Sequence, residues 1–390
     1  MRRIYLDYAA TTPQDSQVTK LIDRYSVFFG NSSSPYKTGR KAKAIIDQSK
    51  EKIASIVGAS ASEIVFTGSG TESVNTAILG IARAYKKFGR HIITSSIEHL
   101  SVLEACRYLS CNEGFKVTYL DVDKQGLIKP EDVLRAIRPD TVLVSIMYAN
   151  NEIGSIQPIA KIAKLIQQFR NQKSNLNEKT PFFHSDACQA AGALDLDIRK
   201  LSLSAMSLNG SKIYGPKGMG VLYVKKSIRL SPIIIGGSQQ RGLRAGTENP
   251  ALCAGLALAL ESADKKKDKE SNRLRGLRDY LISRISEEIP DTILNGDPVV
   301  RLPNNINFSF SGIDGEMLVY HLDLKGIEIS TGSACTTSTT DPSHVITALG
   351  LESEYAKGNI RVALGRQTTK RELDIFVSVL KKSVKKLRSL

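Results

Sequence analysis

The 390-residue chain is long enough for one large domain plus a smaller one, each able to bury a core. Its hydrophobic, charged and aromatic fractions (41%, 24% and 6%) are those of an ordinary soluble globular protein. No apolar run approaches the roughly 18 residues of a membrane-spanning helix, and the first residues, MRRIYLDYAATTP, lack the apolar stretch of a signal peptide, so a cytoplasmic location is expected. Five scattered cysteines (Cys106, Cys111, Cys188, Cys253, Cys335) show no paired metal-ligand spacing, which argues against structural zinc and for free thiols. The net charge of +15 favours association with polyanions such as RNA or acidic proteins; the alternative is a solvated basic surface, and the basic runs at 265–269 and 381–388 read as exposed helix faces.

From about residue 40 the pattern alternates between helix and strand. Ile45, Ile46, Ser49, Ile53, Ile56 and Val57 share one helical stripe with charges opposite. Residues 64–67 read as a short strand and 72–85 as the next helix. Strand-like runs follow at 91–95, 117–120, 142–148, 182–186, 205–208 and 220–224, with helix-like stretches at 101–109, 130–137 and 159–169 between several of them. This alternation predicts an α/β domain with a mainly parallel sheet. Near 246–250 the sheet pattern ends and a long helix starts at Pro250. The expected division is a large domain over 15–255 and a smaller α+β domain made from 1–14 and 256–390.

Four segments carry chemistry. Thr67-Gly-Ser-Gly-Thr-Glu-Ser73 lies between a strand and a helix, where backbone amides and the helix dipole attract phosphate. Ser69 and Glu72 also have capping-box spacing, so a purely structural helix start is the competing reading. Phe183-His-Ser-Asp-Ala-Cys-Gln189 ends an apolar strand, and a carboxylate there can keep the ring nitrogen of a bound cofactor protonated. Ser207-Leu-Asn-Gly-Ser-Lys-Ile-Tyr-Gly-Pro-Lys-Gly218 sets Lys212 in a tight turn after a buried strand, where burial frees an amine for Schiff-base formation. A phosphate-binding turn, a strand-end Asp and then a Lys follow the order expected of a pyridoxal-phosphate (PLP) enzyme. Finally, Cys335 sits in the small-residue run 329–340, unlike Cys106 and Cys253 in helical patterns; an accessible thiol there could attack a bound substrate.

With these segments in this order the sequence resembles a cysteine desulfurase of the fold-type I PLP-dependent transferases. The resemblance is carried by Tyr5-Leu-Asp-Tyr-Ala-Ala-Thr-Thr-Pro13, Gly30-Asn31, Thr71-Glu-Ser73, Glu98-His99, Asn150-Asn-Glu-Ile-Gly154, Asp186-Ala-Cys-Gln189, Lys212-Ile-Tyr-Gly-Pro-Lys-Gly218, Arg244-Ala-Gly-Thr-Glu248, Gly332-Ser-Ala-Cys335 and Ile360-Arg361. The Gly-Ser-Ala-Cys form is similar to the subgroup that supplies iron–sulfur assembly and tRNA thiolation.

The resemblance implies that Lys212 holds PLP covalently, that His99 stacks on its ring and moves protons, that Asp186 pairs with the ring nitrogen and that Gln189 bonds the phenolic oxygen. Asn151 would lie beside cofactor and substrate. Gly70 and Thr71 would bind the phosphate, with Thr247 reaching it from the other subunit of a homodimer. Arg361 would clamp the carboxylate of L-cysteine, and Cys335 would take its sulfur as a persulfide, leaving alanine.

Three departures stand out. Asn209 and Ser211 occupy positions where the family commonly has Ser or Thr and His; both can still hydrogen-bond a phosphate oxygen, with reduced cofactor affinity expected. The run Gly30-Asn-Ser-Ser-Ser-Pro-Tyr36 differs from the family's Gly-Asn-Pro-Ser-Ser-x-His. The chain ends at Leu390 without the tail on which scaffold proteins dock in some relatives, leaving an iron–sulfur scaffold and a tRNA thiolase open as sulfur acceptors, with the charge favouring the latter route. Direct nucleic-acid binding stays undecided. Rival readings are a selenocysteine lyase, another fold-type I enzyme such as an aminotransferase, and a catalytically silent partner subunit.

Overall fold

A computed structural model describes residues 3–172, 180–332 and 342–389. Twelve strands are present among them: β1 (Ile4–Tyr5), β2 (Ile64–Thr67), β3 (His91–Ser95), β4 (Lys116–Leu120), β5 (Thr141–Ser145), β6 (Phe182–Asp186), β7 (Ala205–Asn209), β8 (Gly220–Val224), β9 (Thr292–Leu294), β10 (Asn305–Phe310), β11 (Ile327–Glu328) and β12 (Asn359–Ala363).

Seven of these form one sheet in the order β2-β8-β7-β6-β5-β3-β4. Strand β8 pairs antiparallel with both β2 and β7, and the other pairs are parallel, so only β8 runs against the rest. The mainly parallel α/β sheet expected from the alternating pattern is therefore present. Strands β2, β3, β5, β6, β7 and β8 are buried almost throughout because both faces are covered, whereas the edge strand β4 is only partly covered. Successive residues feed opposite sides: Phe66, Ile93, Phe183, Met206 and Val221 join one core, and Val65, Ile92, Phe182, Ala205 and Leu222 the other.

The ends of several elements differ from the pattern-based reading for local reasons. The helix after β2 begins at Gly70 rather than Glu72, since Ser69 caps it by accepting from the Glu72 amide at 3.0 Å. Strand β5 ends at Ser145; beyond it the amides of Ile146 and Tyr148 still donate to the carbonyls of His184 and Asp186. The segment after β5 is thereby drawn along β6 toward the strand end.

The helix starting at Pro250 runs to Glu288. Its first half packs Leu256, Leu260 and Ala263 into the core under the large sheet; its second half packs Leu274, Leu281 and Ile285 into a separate core with β10 and β12. Strands β9, β10 and β12 form an antiparallel sheet in the order β12-β10-β9. Ile306, Phe308, Phe310, Ile360 and Val362 point into that second core, so strand alternation puts Asn305, Asn307, Ser309, Asn359 and Arg361 on the other face. The amino-terminal strand β1 pairs with β11, and Asp7 bridges to Ala363, tying the start of the chain to this smaller sheet. No helix among the described residues is long and apolar enough to cross a membrane.

Candidate active site

Because β2, β3, β5, β6 and β7 share one direction, their carboxyl ends open on one edge of the sheet, where ligands gather in such folds. A cavity of about 290 Å³ lies there, near the lower end of the roughly 300–1,000 Å³ typical of small-molecule sites. Of the residues singled out from sequence, Gly70, Thr71, His99, Asn151, Asp186, Gln189, Asn209, Lys212 and Arg361 all line it.

One end of the cavity is the start of the helix Gly70–Tyr85. A side chain at Gly70 would bring its Cβ to 2.8 Å from Cys188 Sγ and 3.2 Å from Asn209 Nδ2, so only glycine keeps this approach to the backbone open. The first amides of a helix have no acceptor within it and carry the positive end of its dipole. Glu72 braces the turn by accepting from the Gly68 amide (2.8 Å) and from Arg244 Nε (2.9 Å). The capping and the anion-ready turn thus coexist. Asn209 Oδ1 accepts from the Ser211 amide and from Ser211 Oγ, both at 3.1 Å.

Lys212 follows β7 in a short 3₁₀ turn, and its Nζ donates to the carbonyls of Ala9 (3.0 Å) and Ala10 (2.5 Å). Gln189 Nε2 also donates to the Ala9 carbonyl, at 3.0 Å. Asp186 ends β6, is 8% exposed, and accepts from the Cys188 amide at 2.9 Å. Burial raises the Cys188 thiol well above its usual range, and the Asp186 carboxylate adds to that, so Cys188 stays a thiol.

His99 caps the helix Leu100–Glu113, with Nδ1 accepting from the Ser101 amide at 3.1 Å. An accepting Nδ1 fixes the neutral tautomer with its proton on Nε2. Burial pushes His99 below the usual histidine range, Lys212 and His344 act in the same direction, and Asp186 opposes them. Glu98 beside it is fully buried, accepting from Ser95 Oγ (2.6 Å) and the Met147 amide (2.9 Å); burial pushes its carboxyl up to about 8.

Arg361 is 3% exposed. Its Nη1 donates to the Asn151 carbonyl (3.1 Å) and its Nη2 to Asp7 Oδ1 (2.7 Å), while Nε is buried without a partner among the described residues. Asp7 is a residue that sequence reasoning missed: it lies in the quoted Tyr5–Pro13 motif, but nothing in the pattern indicated a pairing across 354 positions. Ala9, Ala10, Ser101, Met147, Ala149, Cys188 and Gly332 complete the wall, and of these Ala9, Ala10, Cys188 and Gly332 lay in motifs already singled out.

Ser211 and Thr247 are not among the lining residues, and Thr247 is exposed. The Ser211 hydroxyl is engaged by Asn209 instead. Cys335 lies outside the described residues; Cys106, Cys111, Cys188 and Cys253 are free thiols.

The aminotransferase class-V family matches residues 4–376. Cysteine desulfurase IscS of Dictyoglomus turgidum is 45% identical over 390 residues, spanning 100% of this chain and 96% of that protein. Cysteine desulfurase IscS of Methanosarcina thermophila is 44% identical over 390 residues, spanning 100% and 94%. Among solved structures, a NifS-like protein superposes with a TM-score of 0.90 at 34% identity, covering 99% of this chain and 100% of that one. On these matches, spread over the whole chain, the protein belongs to the PLP-dependent class-V aminotransferase family, in its cysteine desulfurase branch.

Proposed function

We propose that the chain converts L-cysteine to L-alanine, takes the sulfur onto Cys335 as a persulfide, and passes it to an acceptor serving iron–sulfur assembly or tRNA thiolation. The observation that carries this reading is the convergence of Lys212, Asp186, His99 and Arg361 on one cavity at the strand ends.

The residues present fit PLP. The glycine-only approach at Gly70, with Thr71 and Asn209 beside it, suits a phosphate. Asp186, buried at the end of β6, suits a protonated ring nitrogen, and Lys212 offers the amine for the covalent link. When bound, the cofactor supplies an electron sink for charge developing on the substrate carbon. The rest falls to the protein's own groups. Arg361, whose buried Nε has no partner among the described residues, orients the substrate carboxylate, a task suited to its planar fork. Lys212 Nζ and His99 Nε2 hold and move protons beside the substrate's α-carbon. The Cys335 thiolate attacks the substrate sulfur: an S–S bond forms as the carbon–sulfur bond breaks, and the carbon skeleton takes up protons to leave as alanine.

A homodimer belongs to the same reading. Thr71 and His99 also line an open groove with Leu79, Tyr108 and Ile233, and Ile235 nearby in sequence is 88% exposed. A second copy seated there would cover apolar surface and bring its Thr247 toward the phosphate end. The cytoplasm is the compartment that suits free thiols.

The test is turnover. PLP-loaded protein with L-cysteine and a reductant should release alanine and sulfide in equal amounts, and light scattering should give twice the chain mass. A protein that forms the visible lysine-bound cofactor band but releases neither product would refute the reading.

A further inference from the structure

Glu152 follows Asn151 but is not among the residues lining the cavity, and its contacts run elsewhere. Its backbone is fixed first. The amides of Glu152 and Ile153 both donate to Asn150 Oδ1, at 2.8 and 2.9 Å, and the Glu152 carbonyl accepts from Asn307 Nδ2 at 3.2 Å. On the side chain, Oε2 accepts from Ser343 Oγ at 2.6 Å. Gly332 lies against that same oxygen: a Cβ there would stand 2.9 Å from Oε2, and the glycine's φ of +89° is one that other residues rarely adopt. Gly332 and Ser343 are described residues on either side of Cys335 in the sequence. The carboxylate therefore bonds the flank after Cys335 and fills the space beside the flank before it, where the Gly332 amide donates to Ser330 Oγ at 3.1 Å.

The flank after Cys335 is held further. Ser343 Oγ accepts from the Val345 amide at 3.1 Å, starting the short helix His344–Ala348. His344 Nε2 lies 2.9 Å from the carbonyl of Glu98, next to His99. Val345, Ile346 and Leu349 pack with Ile97, Met147 and Ile153, from the loops that follow β3 and β5. The loops presenting His99 and Asn151 to the cavity thus also grip the return point of the Cys335 stretch. Burial raises the Glu152 carboxyl above the usual range, while Ser343, His344 and Arg361 act to lower it. A carboxylate placed this deep costs stability unless its contacts offset the loss of water.

We infer that Glu152 is a positioning residue for sulfur transfer: by bonding Ser343 and standing against the space beside Gly332 it sets the points from which the chain carrying Cys335 departs and returns. This rests on the reading of Cys335 as sulfur acceptor.

The experiment follows persulfide formation on Cys335 in a single turnover, by mass spectrometry, in PLP-loaded full-length protein. The cofactor absorbance change on adding L-cysteine is recorded alongside. Glu152→Ala and Ser343→Ala should each slow persulfide formation by about tenfold, the effect of losing one hydrogen bond to a charged group. The cysteine concentration needed for the absorbance change should stay within about twofold, a split that a general loosening of the fold would not give. The double variant should be no slower than the slower single one, because both changes break the same contact. Glu152→Gln keeps an oxygen for Ser343 and should retain most of the rate. A wild-type rate in Glu152→Ala, or additive losses in the double variant, would overturn the role of Glu152. Absence of persulfide from wild-type Cys335 would instead overturn the underlying reading.

Discussion

Asn307 joins three parts of the polar face between the two sheets, and its removal has a calculable cost. Its Oδ1 accepts from Asn295 Nδ2 at 2.7 Å and from Asn359 Nδ2 at 2.5 Å, and its own Nδ2 donates to the Glu152 carbonyl. All three partners are buried. In Asn307→Ala, Asn295 Nδ2 keeps a bond to Ser309 Oγ at 2.8 Å, so its loss is small. The Asn359 amide and the Glu152 carbonyl each lose their Asn307 partner, at about 1–3 kcal/mol apiece for a buried polar group left unsatisfied. The expected total is about 2–6 kcal/mol, a large part of the roughly 5–15 kcal/mol by which folded proteins are stable. Urea unfolding of the cofactor-free protein, followed by circular dichroism, measures it through the shift in midpoint. Ser309→Ala removes one of two acceptors of a single amide and should cost only about 1 kcal/mol. A loss below about 1 kcal/mol for Asn307→Ala would refute the view that this network holds the Asn150–Gly154 turn in place.

Two further outcomes follow from single side chains. Arg361→Lys should lower kcat/KM for L-cysteine by about 30-fold or more, mostly through KM, since a lysine cannot hold Asn151, Asp7 and a carboxylate at once; a loss under about threefold in steady-state kinetics contradicts the clamp. Glu98 is neutral in the fold up to about pH 8, whereas an unfolded glutamate ionises from about 4.5, so between those values the unfolded state binds fewer protons and stability falls as pH rises. Glu98→Gln should therefore gain stability relative to wild type as pH goes from 5 to 8, as read from unfolding midpoints, and parallel pH curves would contradict this.

Much of the architecture was legible in the sequence because strands covered on both faces are rich in apolar residues, and the turns after them carry the chemistry. Lys212, Asp186 and Gly70 could each be placed at a strand end, His99 followed from the family resemblance, and all four meet in the cavity. What could not be read were contacts made by the smaller sheet. Asn305, Asn307, Asn359 and Arg361 are spaced two apart on their strands, but alternation alone does not say that their face meets the Asn150–Gly154 turn. The Asp7–Arg361 pair and the hold of Glu152 on Ser343 join residues 354 and 191 positions apart, and no local pattern encodes them. Ser211 was expected at the phosphate; its hydroxyl turns to Asn209 because that amide oxygen lies within reach two residues back.

Sulfur is expected to leave L-cysteine through Cys335. The most direct measurement compares wild-type and Cys335→Ala protein, both loaded with PLP, for alanine release and for a persulfide detected by mass spectrometry. Alanine and a Cys335 persulfide are expected from the wild type, and almost no alanine from the variant although its cofactor absorbance still responds to cysteine. Full alanine release from Cys335→Ala would contradict this.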